Sequence, residues 1–252
     1  MSDQRVAIVT AAGKGIGAAC AKGLAESGHK VVLMSISGSA VALAEELGGV
    51  GMKGSVLETK DLEALVKLAM DSYGRIDAVV VNTGHGEGTT EYSHGSGYHA
   101  DDPVERLLLE IDDEDWHRGL DLYVLITIRM ARLITPIMQK QGGGVFLNIS
   151  SFAATEARPA SPMSILRGGL HGFSKLYADR YARDNIRMNN LLPGFMMNVE
   201  LSETAANGIP LGRSATEREL AGTAAYLCSP EAGYITGQNI LMDGGGNRNI
   251  PH

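Results

Sequence analysis

The sequence predicts an α/β protein whose core is a doubly wound, seven-stranded parallel sheet, and two observations carry this prediction. Short apolar runs rich in Val, Ile and Leu alternate along the chain with longer segments of helical periodicity. The apolar runs are continuous, which is typical of strands that helices cover on both faces. Right-handed crossovers between consecutive strands then wind the helices onto both sides of the sheet.

The predicted elements follow one another in regular order. Seven strands are predicted, at residues 5–10, 30–35, 50–53, 75–84, 143–151, 186–194 and 239–245. Helical patterns fall between them, at about residues 16–28, 41–47, 60–73, 115–139, 163–182 and 217–227. The segment from about residue 84 to 103 is rich in Gly, His and Tyr and shows no period, so we expect an extended loop after the fourth strand. No linker divides the chain, and we expect a single domain over residues 1–252.

Composition and charge narrow the functional classes. The chain has 252 residues, 44% hydrophobic and 20% charged, which is enough to bury a full core. Lys and Arg number 22 against 29 Asp and Glu, and the net charge of −7 argues against nucleic acid or an anionic membrane as a partner. No apolar run approaches the roughly 20 residues of a spanning helix, and the first residues lack a signal-peptide pattern, so we expect a cytoplasmic protein. Cys20 and Cys228 are expected to be buried free thiols.

Three glycines lie between the first predicted strand and the first predicted helix. Gly13, Gly15 and Gly17 permit a tight turn in which the backbone approaches a ligand closely. The N-terminus of the helix that follows favours an anion such as a pyrophosphate. This strand–turn–helix context predicts a dinucleotide site of the Rossmann type.

Further motifs follow the glycine turn along the chain. Thr10, Gly15 and Gly17 occupy three positions of a TGxxxGxG pattern, with Ala11 in place of its first glycine. VNTG at 81–84, NISS at 148–151, LPG at 192–194, IPLGR at 209–213 and ITGQNILMDGG at 235–245 then occur in order. With these motifs the chain resembles the short-chain dehydrogenase/reductase family over essentially its whole length.

The resemblance implies a bound nicotinamide dinucleotide and the residues that hold it. VNTG corresponds to the NNAG motif of the family, so its asparagine and glycine match. The cofactor-binding residues implied by the motifs and the turn are Thr10, Gly13, Lys14, Gly15, Ile16, Gly17, Ser35, Ser37, Asn82, Thr83, Gly84, Arg167, Pro193 and Gly194.

The end of the second predicted strand indicates which nucleotide binds. NAD sites of this kind usually place a carboxylate there to accept from the ribose 2′-hydroxyl, whereas this chain has Ser35, Ile36 and Ser37. A carboxylate would repel a 2′-phosphate, and Lys14 in the glycine turn is a cation within reach of one. We therefore expect NADP(H) to be preferred, with NAD(H) as the alternative if Lys14 is only a solvated loop charge.

The chain departs from the family at the residues that carry its chemistry, which are a serine, a YxxxK helix and an asparagine on the preceding long helix. LHGFSKLYADRYA at 170–182 resembles the segment after YxxxK, and counting back places Met163 at the tyrosine position and Arg167 at the lysine position. DWHRGLDLYVL similarly places Tyr123 at the asparagine position. The serine is retained as Ser151, with Ser150 as the alternative that restores the usual spacing to residue 163.

These departures have chemical consequences. A thioether donates no proton, so Met163 is expected to line an apolar substrate pocket. Arg167 stays protonated, so it is expected to hold the ribose or to polarise an oxygen. His171, four residues before Lys175, offers an HxxxK pair as an alternative, although the downstream pattern places it two turns too late.

A proton donor is then expected from elsewhere in the chain. Ligands of open α/β sheets bind beyond the carboxyl ends of the strands, where the loop at 84–103 leaves the fourth strand. Histidine suits proton transfer near neutral pH, so His94, Tyr98 and His99 in the middle of this loop are the first candidates, with water or Tyr123 as alternatives. A solvated loop without a catalytic role is the competing interpretation. No spacing in the loop matches a metal-ligand pattern, so no metal is expected.

Three functional hypotheses stay open. The first is an NADP(H)-dependent oxidoreductase that interconverts a carbonyl and an alcohol on a small molecule, with Ser151 polarising the oxygen. The others are a nucleotide-binding sensor or partner protein without dehydrogenase activity, and a non-redox enzyme such as a lyase or dehalogenase, because fold does not decide function. The cofactor motifs favour the first hypothesis, and the missing tyrosine and lysine favour the others. The resemblance also implies a homo-oligomer, either a tetramer or a dimer.

Overall fold

A computed structural model describes residues 4–83, 108–156, 162–196, 201 and 203–249. Its centre is a seven-stranded sheet in the order β3-β2-β1-β4-β5-β6-β7, and every neighbouring pair is parallel. The strands are β1 Val6–Val9, β2 Lys30–Ser35, β3 Val50–Lys53, β4 Ala78–Val81, β5 Gly144–Ile149, β6 Ile186–Pro193 and β7 Asn239–Met242. The predicted doubly wound parallel sheet is confirmed.

Helices connect these strands. They are α1 Gly15–Glu26, α2 Ser39–Glu46, α3 Thr59–Tyr73, α4 Asp113–Leu120, α5 Ile126–Gln141, α6 Leu166–Tyr181, α7 Glu203–Gly208 and α8 Glu217–Cys228. A π-helical turn, Asp121–Leu125, joins α4 to α5, and a 3₁₀ turn, Pro162–Ile165, precedes α6. Among the described helices, none is long and apolar enough to cross a membrane.

Two apolar layers hold the helices against the sheet. Every residue of β1 and β4 is buried, because helices cover both faces of these central strands. On one face α1 and α8 pack through side chains such as Leu24 and Leu220. On the other face α3, α5 and α6 pack through side chains such as Leu62, Met130 and Tyr177.

Both cysteines lie in the first of these layers. Cys20 in α1 and Cys228 in α8 are buried free thiols, as the sequence predicts. Burial raises the pKa of both thiols, to about 12 for Cys228, so neither is a reactive thiolate.

Two helices differ from their predicted extents, and a third was missed. The helix predicted over 115–139 is divided by the π-helical turn, and π turns are frequent at functional sites. The helix predicted from residue 163 begins as an α-helix only at Leu166. The short helix α7, with the sequence ETAANG, was missed because it has no apolar period.

Side-chain amides, two of them buried, link three strands below the carboxyl edge of the sheet. Asn148 Nδ2 donates to Ser174 Oγ at 3.1 Å and to Asn190 Oδ1 at 2.9 Å, and Thr127 Oγ1 donates to Asn148 Oδ1 at 3.2 Å. Asn190 Nδ2 donates in turn to Asn239 Oδ1 at 2.7 Å. This amide network connects α5, β5, α6, β6 and β7, and its hydrogen bonds hold these elements together directly below the site described next.

Candidate active site

The strand order reverses between β1 and β4, and a pair of polar side chains holds these two strand ends together. Thr10 Oγ1 donates to the Asn82 carbonyl at 2.7 Å, and the Asn82 backbone N–H donates back to Thr10 Oγ1 at 3.0 Å. Asn82 Nδ2 also donates to the Ala11 carbonyl at 3.2 Å. Both residues are buried. This Thr10–Asn82 clamp fixes the turn that leaves β1 at the point where open α/β sheets bind ligands.

The glycines of the turn meet different requirements. A Cβ on Gly17 would lie 2.4 Å from the Ala11 carbonyl oxygen, so backbone packing excludes a side chain there. A Cβ on Gly13 would lie 2.1 Å from Ser39 Oγ, and that exposed hydroxyl would have to move. Gly15 has a φ of +59° and is exposed. Ala11, where the family pattern has glycine, adopts a φ of +46°, which is uncommon for alanine.

The N-terminus of α1 fits a phosphate group. Lys14 is the N-cap residue, and its side chain makes no capping hydrogen bond, whereas Asp112 caps α4 and Thr216 caps α8. No acidic residue lies in the first turn of α1. The backbone N–H groups at this helix end are therefore available to an anion that approaches over Gly15.

Serines surround the end of β2. Ser35 is buried, and its hydroxyl accepts from the Ala40 N–H at 2.9 Å, which fixes the start of α2. Ser37 and Ser39 are exposed and hydrogen-bond to each other at 2.8 Å.

Two exposed lysines flank these serines. Lys14 extends from the glycine turn. Lys53 pairs in register with Ser35, and its Cβ lies 3.8 Å from where a Cβ on Gly38 would be. The second lysine was missed in the sequence because only the β2–β3 register brings it here. Hydroxyls and cations thus border the place where a carboxylate would stand in an NAD site.

A second cluster lies beyond the carboxyl end of β5. The Arg167 guanidinium sits over the ring of the buried Tyr123, with its Cζ 4.0 Å from the ring centroid. Arg167 Nη1 also donates to the Ile149 carbonyl at 3.1 Å. Burial lowers the pKa of Arg167, and Tyr123 opposes that shift. The guanidinium is therefore a fixed positive charge at the end of the strand.

Ser150 and His171 complete this cluster. Ser150 Oγ lies 2.8 Å from His171 Nε2, within hydrogen-bond distance. Burial, followed by the charge of Arg167, lowers the pKa of His171 to about 4. The imidazole is therefore neutral near pH 7 and bound to a serine hydroxyl, a contact that sequence reasoning missed.

Alternation along β5 explains why Ser150 meets α6. Phe146 stacks edge-on against Tyr177, Asn148 bonds to Ser174, and Ser150 bonds to His171. The strand residues are two apart and share one face, while their partners step back along the helix by three. The alternation along β5 places Ser150, and not Ser151, on this face, but it does not identify His171 as the partner.

The neighbouring residues take other partners. Ser151 Oγ accepts from the Ala153 N–H at 3.2 Å and caps a 3₁₀ turn, Phe152–Ala154. Lys175 pairs with Asp179 at 3.0 Å on the exposed side of α6.

The remaining predicted residues fall into two groups. Thr83 follows β4, Ile16 lies in the first turn of α1, and Pro193 and Gly194 close β6, with the Gly194 N–H donating to the Met242 carbonyl at 3.0 Å. The structure describes the backbone of Met163 in the turn before α6, but not its side chain. Gly84, His94, Tyr98 and His99 lie outside the described residues. No group of metal ligands occurs in the part of the chain that is described.

These features define a Rossmann-type α/β protein with a candidate ligand site at the carboxyl edge of its sheet. A family model described as enoyl-(acyl carrier protein) reductase matches residues 10–247. The chain is 32% identical to human dehydrogenase/reductase SDR family member 4, over 96% of this chain and 87% of that protein. It is 33% identical to a 3-oxoacyl-[acyl-carrier-protein] reductase of Synechocystis, over 96% of each.

A solved structure extends the likeness to three dimensions. L-sorbose reductase from Gluconobacter frateurii, complexed with NADPH and L-sorbose, superposes with a TM-score of 0.81 at 27% identity over 98% of both chains. The chain belongs to the short-chain dehydrogenase/reductase family of oxidoreductases.

Proposed function

We propose that this protein is an NADP(H)-dependent oxidoreductase that interconverts a carbonyl and an alcohol on a small molecule, with a proton donor other than the family's tyrosine. The observation that carries the proposal is the placement of two sites along one sheet edge. The uncapped N-terminus of α1 lies beside the end of β1, and the Tyr123–Arg167–His171–Ser150 cluster lies beyond β5. The first can hold a pyrophosphate, and the second can hold a ribose and a substrate oxygen.

The preference for NADP(H) rests on the end of β2. Ser35, Ser37 and Ser39 offer hydroxyls there, and Lys14 and Lys53 offer positive charge. A 2′-phosphate would gain charge-assisted hydrogen bonds from such groups, whereas a free 2′-hydroxyl would find no carboxylate to accept from it. The NADPH complex of the Gluconobacter reductase supports this assignment.

In the catalytic half of the site, we assign Met163 and Arg167 to the positions of the family's tyrosine and lysine. A bound nicotinamide supplies or accepts the hydride. Arg167, fixed by Tyr123 and the Ile149 carbonyl, binds the nicotinamide ribose as a permanent cation. Ser150 or Ser151 polarises the substrate oxygen. The loop residues His94, Tyr98 and His99 stay predicted sources of the proton.

Cofactor titration tests the first half of the proposal. NADPH is expected to bind more tightly than NADH, and Ser35→Asp is expected to reverse this order, because a carboxylate beside the 2′-phosphate repels it. Ser72→Asp adds the same charge on the exposed surface of α3 and serves as the matched control. A wild-type preference for NADH, or an unchanged preference in Ser35→Asp, contradicts the assignment.

Activity tests the second half. The purified protein is incubated with NADPH and a panel that includes an aromatic aldehyde, an α-diketone and a ketose, and with NADP⁺ and the matching alcohols. We expect the nicotinamide to be oxidised or reduced with at least one carbonyl–alcohol pair, and its absorbance measures the change. Tight nucleotide binding without turnover across the panel would favour the nucleotide-binding protein without dehydrogenase activity.

The biological setting of the protein is part of the same proposal. We infer that residues 1–252 act as a single domain in the cytoplasm and as a homo-oligomer, a tetramer or a dimer. Size-exclusion chromatography with light scattering measures the number of subunits.

A further inference from the structure

We propose that Ser150 and His171 form a proton relay that takes the place of the family's tyrosine, with Ser150 touching the substrate oxygen and His171 acting through it. This inference rests on the proposed oxidoreductase function. It assigns the proton transfer to two residues on rigid elements of the fold.

The position of Ser150 suits contact with substrate. It is the first residue after β5, at the edge where ligands of open α/β sheets bind, and its N–H still donates to the Leu191 carbonyl at 2.8 Å. Its side chain continues the face of Phe146 and Asn148, and it is the last of the three contacts that this face makes with α6. Asn148, the next residue on this face, belongs to the amide network, and its hydrogen bonds hold it in place below Ser150.

The position of His171 suits proton transfer through Ser150. One ring nitrogen bonds to Ser150 Oγ, and the side chain is partly exposed, so the other nitrogen can exchange protons with solvent. Arg167, one turn earlier in α6, is the charged neighbour that acts on the ring, and Tyr123 holds Arg167 in place. Burial and, after it, the positive charge beside the ring keep the imidazole neutral, which lets it both give and take a proton.

The transfer balances in the direction of reduction. As a hydride adds to the carbonyl carbon, the carbonyl π bond breaks and its oxygen takes the Ser150 hydroxyl proton. The proton on His171 Nε2 passes to Ser150 Oγ, and Nδ1 takes one proton from solvent. The oxidant and reductant are the carbonyl and the reduced nicotinamide, and one proton is consumed. Oxidation of an alcohol runs the same steps in reverse.

The pair has a signature that does not require turnover. In the cofactor-free protein, NMR of the histidine ring nitrogens is expected to show His171 neutral down to about pH 4. Ser150→Ala is expected to shift its Nε2 resonance, because the hydrogen bond is lost. If the ring titrates near its ordinary pKa of about 6.5, and if Ser150→Ala leaves the Nε2 resonance unchanged, the pairing is overturned.

Kinetics test the relay itself. With a carbonyl that the wild-type protein reduces, Ser150→Ala and His171→Gln are each expected to slow single-turnover reduction by about 10²- to 10⁴-fold, the usual contribution of a general acid. The double variant is expected to be no slower than the slower single variant, because the two residues act as one unit. NADPH affinity is expected to stay unchanged. His117→Gln, an exposed histidine in α4, is the matched control.

The pH profile separates a relay from a structural role. Oxidation with NADP⁺ is expected to lose rate as the pH falls through about 4, because a protonated ring cannot accept the proton. This limb is expected to be absent from the residual activity of His171→Gln. A limb that persists in His171→Gln belongs to another titrating group, and that result overturns the relay.

The remaining outcomes are distinct. Full rates in Ser150→Ala and His171→Gln, with the loss found instead in Ser151→Ala, His94→Ala, Tyr98→Phe or His99→Ala, overturn the relay but leave the proposed oxidoreductase standing. A wild-type protein that binds NADPH but turns over no carbonyl or alcohol overturns both.

Discussion

Thr10→Val tests whether the clamp between β1 and β4 holds the cofactor turn. Valine has nearly the shape of threonine, so the change removes a hydroxyl without opening a cavity. Thr10 Oγ1 donates to the Asn82 carbonyl at 2.7 Å and accepts from the Asn82 N–H at 3.0 Å, and both residues are buried. The substitution therefore leaves two buried backbone groups without a partner.

The size of the effect follows from those two groups. Each buried polar group left unpaired costs about 1–3 kcal/mol, so the free energy of unfolding is expected to fall by about 2–6 kcal/mol. That is a large share of the about 5–15 kcal/mol that stabilises an ordinary protein. The turn is also expected to loosen, because the Asn82 backbone, whose side chain donates to the Ala11 carbonyl, loses both of its bonds to Thr10 Oγ1. NADPH affinity is therefore expected to drop along with stability.

Urea unfolding at one fixed protein concentration measures the first effect, and NADPH titration below the transition measures the second. Thr223→Val is the matched control, since its hydroxyl donates to the Glu219 carbonyl in an exposed hydrogen bond of α8. The control is expected to change stability by no more than about 0.5 kcal/mol. A loss below about 1 kcal/mol in Thr10→Val would show that water or another group satisfies Asn82, and the clamp argument would then be wrong.

Two further predictions concern the turn and the histidine. Gly15→Val is expected to abolish NADPH binding, because Gly15 has a φ of +59° and lies over the uncapped end of α1. Gly28 has a φ of +91° and nothing within 4 Å of where its Cβ would be, so Gly28→Val introduces similar backbone strain away from the site and is expected still to bind NADPH. Because the folded-state pKa of His171 is lowered to about 4, the unfolded chain binds more protons between about pH 6.5 and that value, and the free energy of unfolding falls as the pH drops through this window. Urea titrations at about pH 7 and about pH 5 are expected to show a smaller fall in His171→Gln, and equal falls in the two proteins would contradict the shift.

The sheet was predictable because strands buried on both faces appear in the sequence as short, continuous apolar runs. The predicted bounds of β2 and β3 agree with the structure, since each apolar run ends at a polar or glycine-rich turn. The start of the helix predicted from residue 163 was harder to predict. Its first residues form a 3₁₀ turn, and periodicity does not distinguish the two helix types over so few residues.

The candidate site was predictable where it depends on local geometry. The glycine turn, Thr10 and Asn82 are adjacent to strand ends that the sequence marks clearly, and the structure brings them together. Ser150 and His171 depend instead on how far α6 slides along β5, which no local pattern encodes. Lys53 likewise reaches the end of β2 only through the Ser35–Lys53 register.

The amide network also bears on how the chain selects one strand alignment. A slip of β5 against β6 by two residues would keep every side chain on its own face, so hydrophobic burial alone discriminates weakly against it. Such a slip would set Asn148 opposite Met188 or Leu192 instead of Asn190. Its amide would then lie buried among apolar groups without a hydrogen-bond partner. The buried asparagines therefore penalise the misaligned sheets that the apolar residues would tolerate.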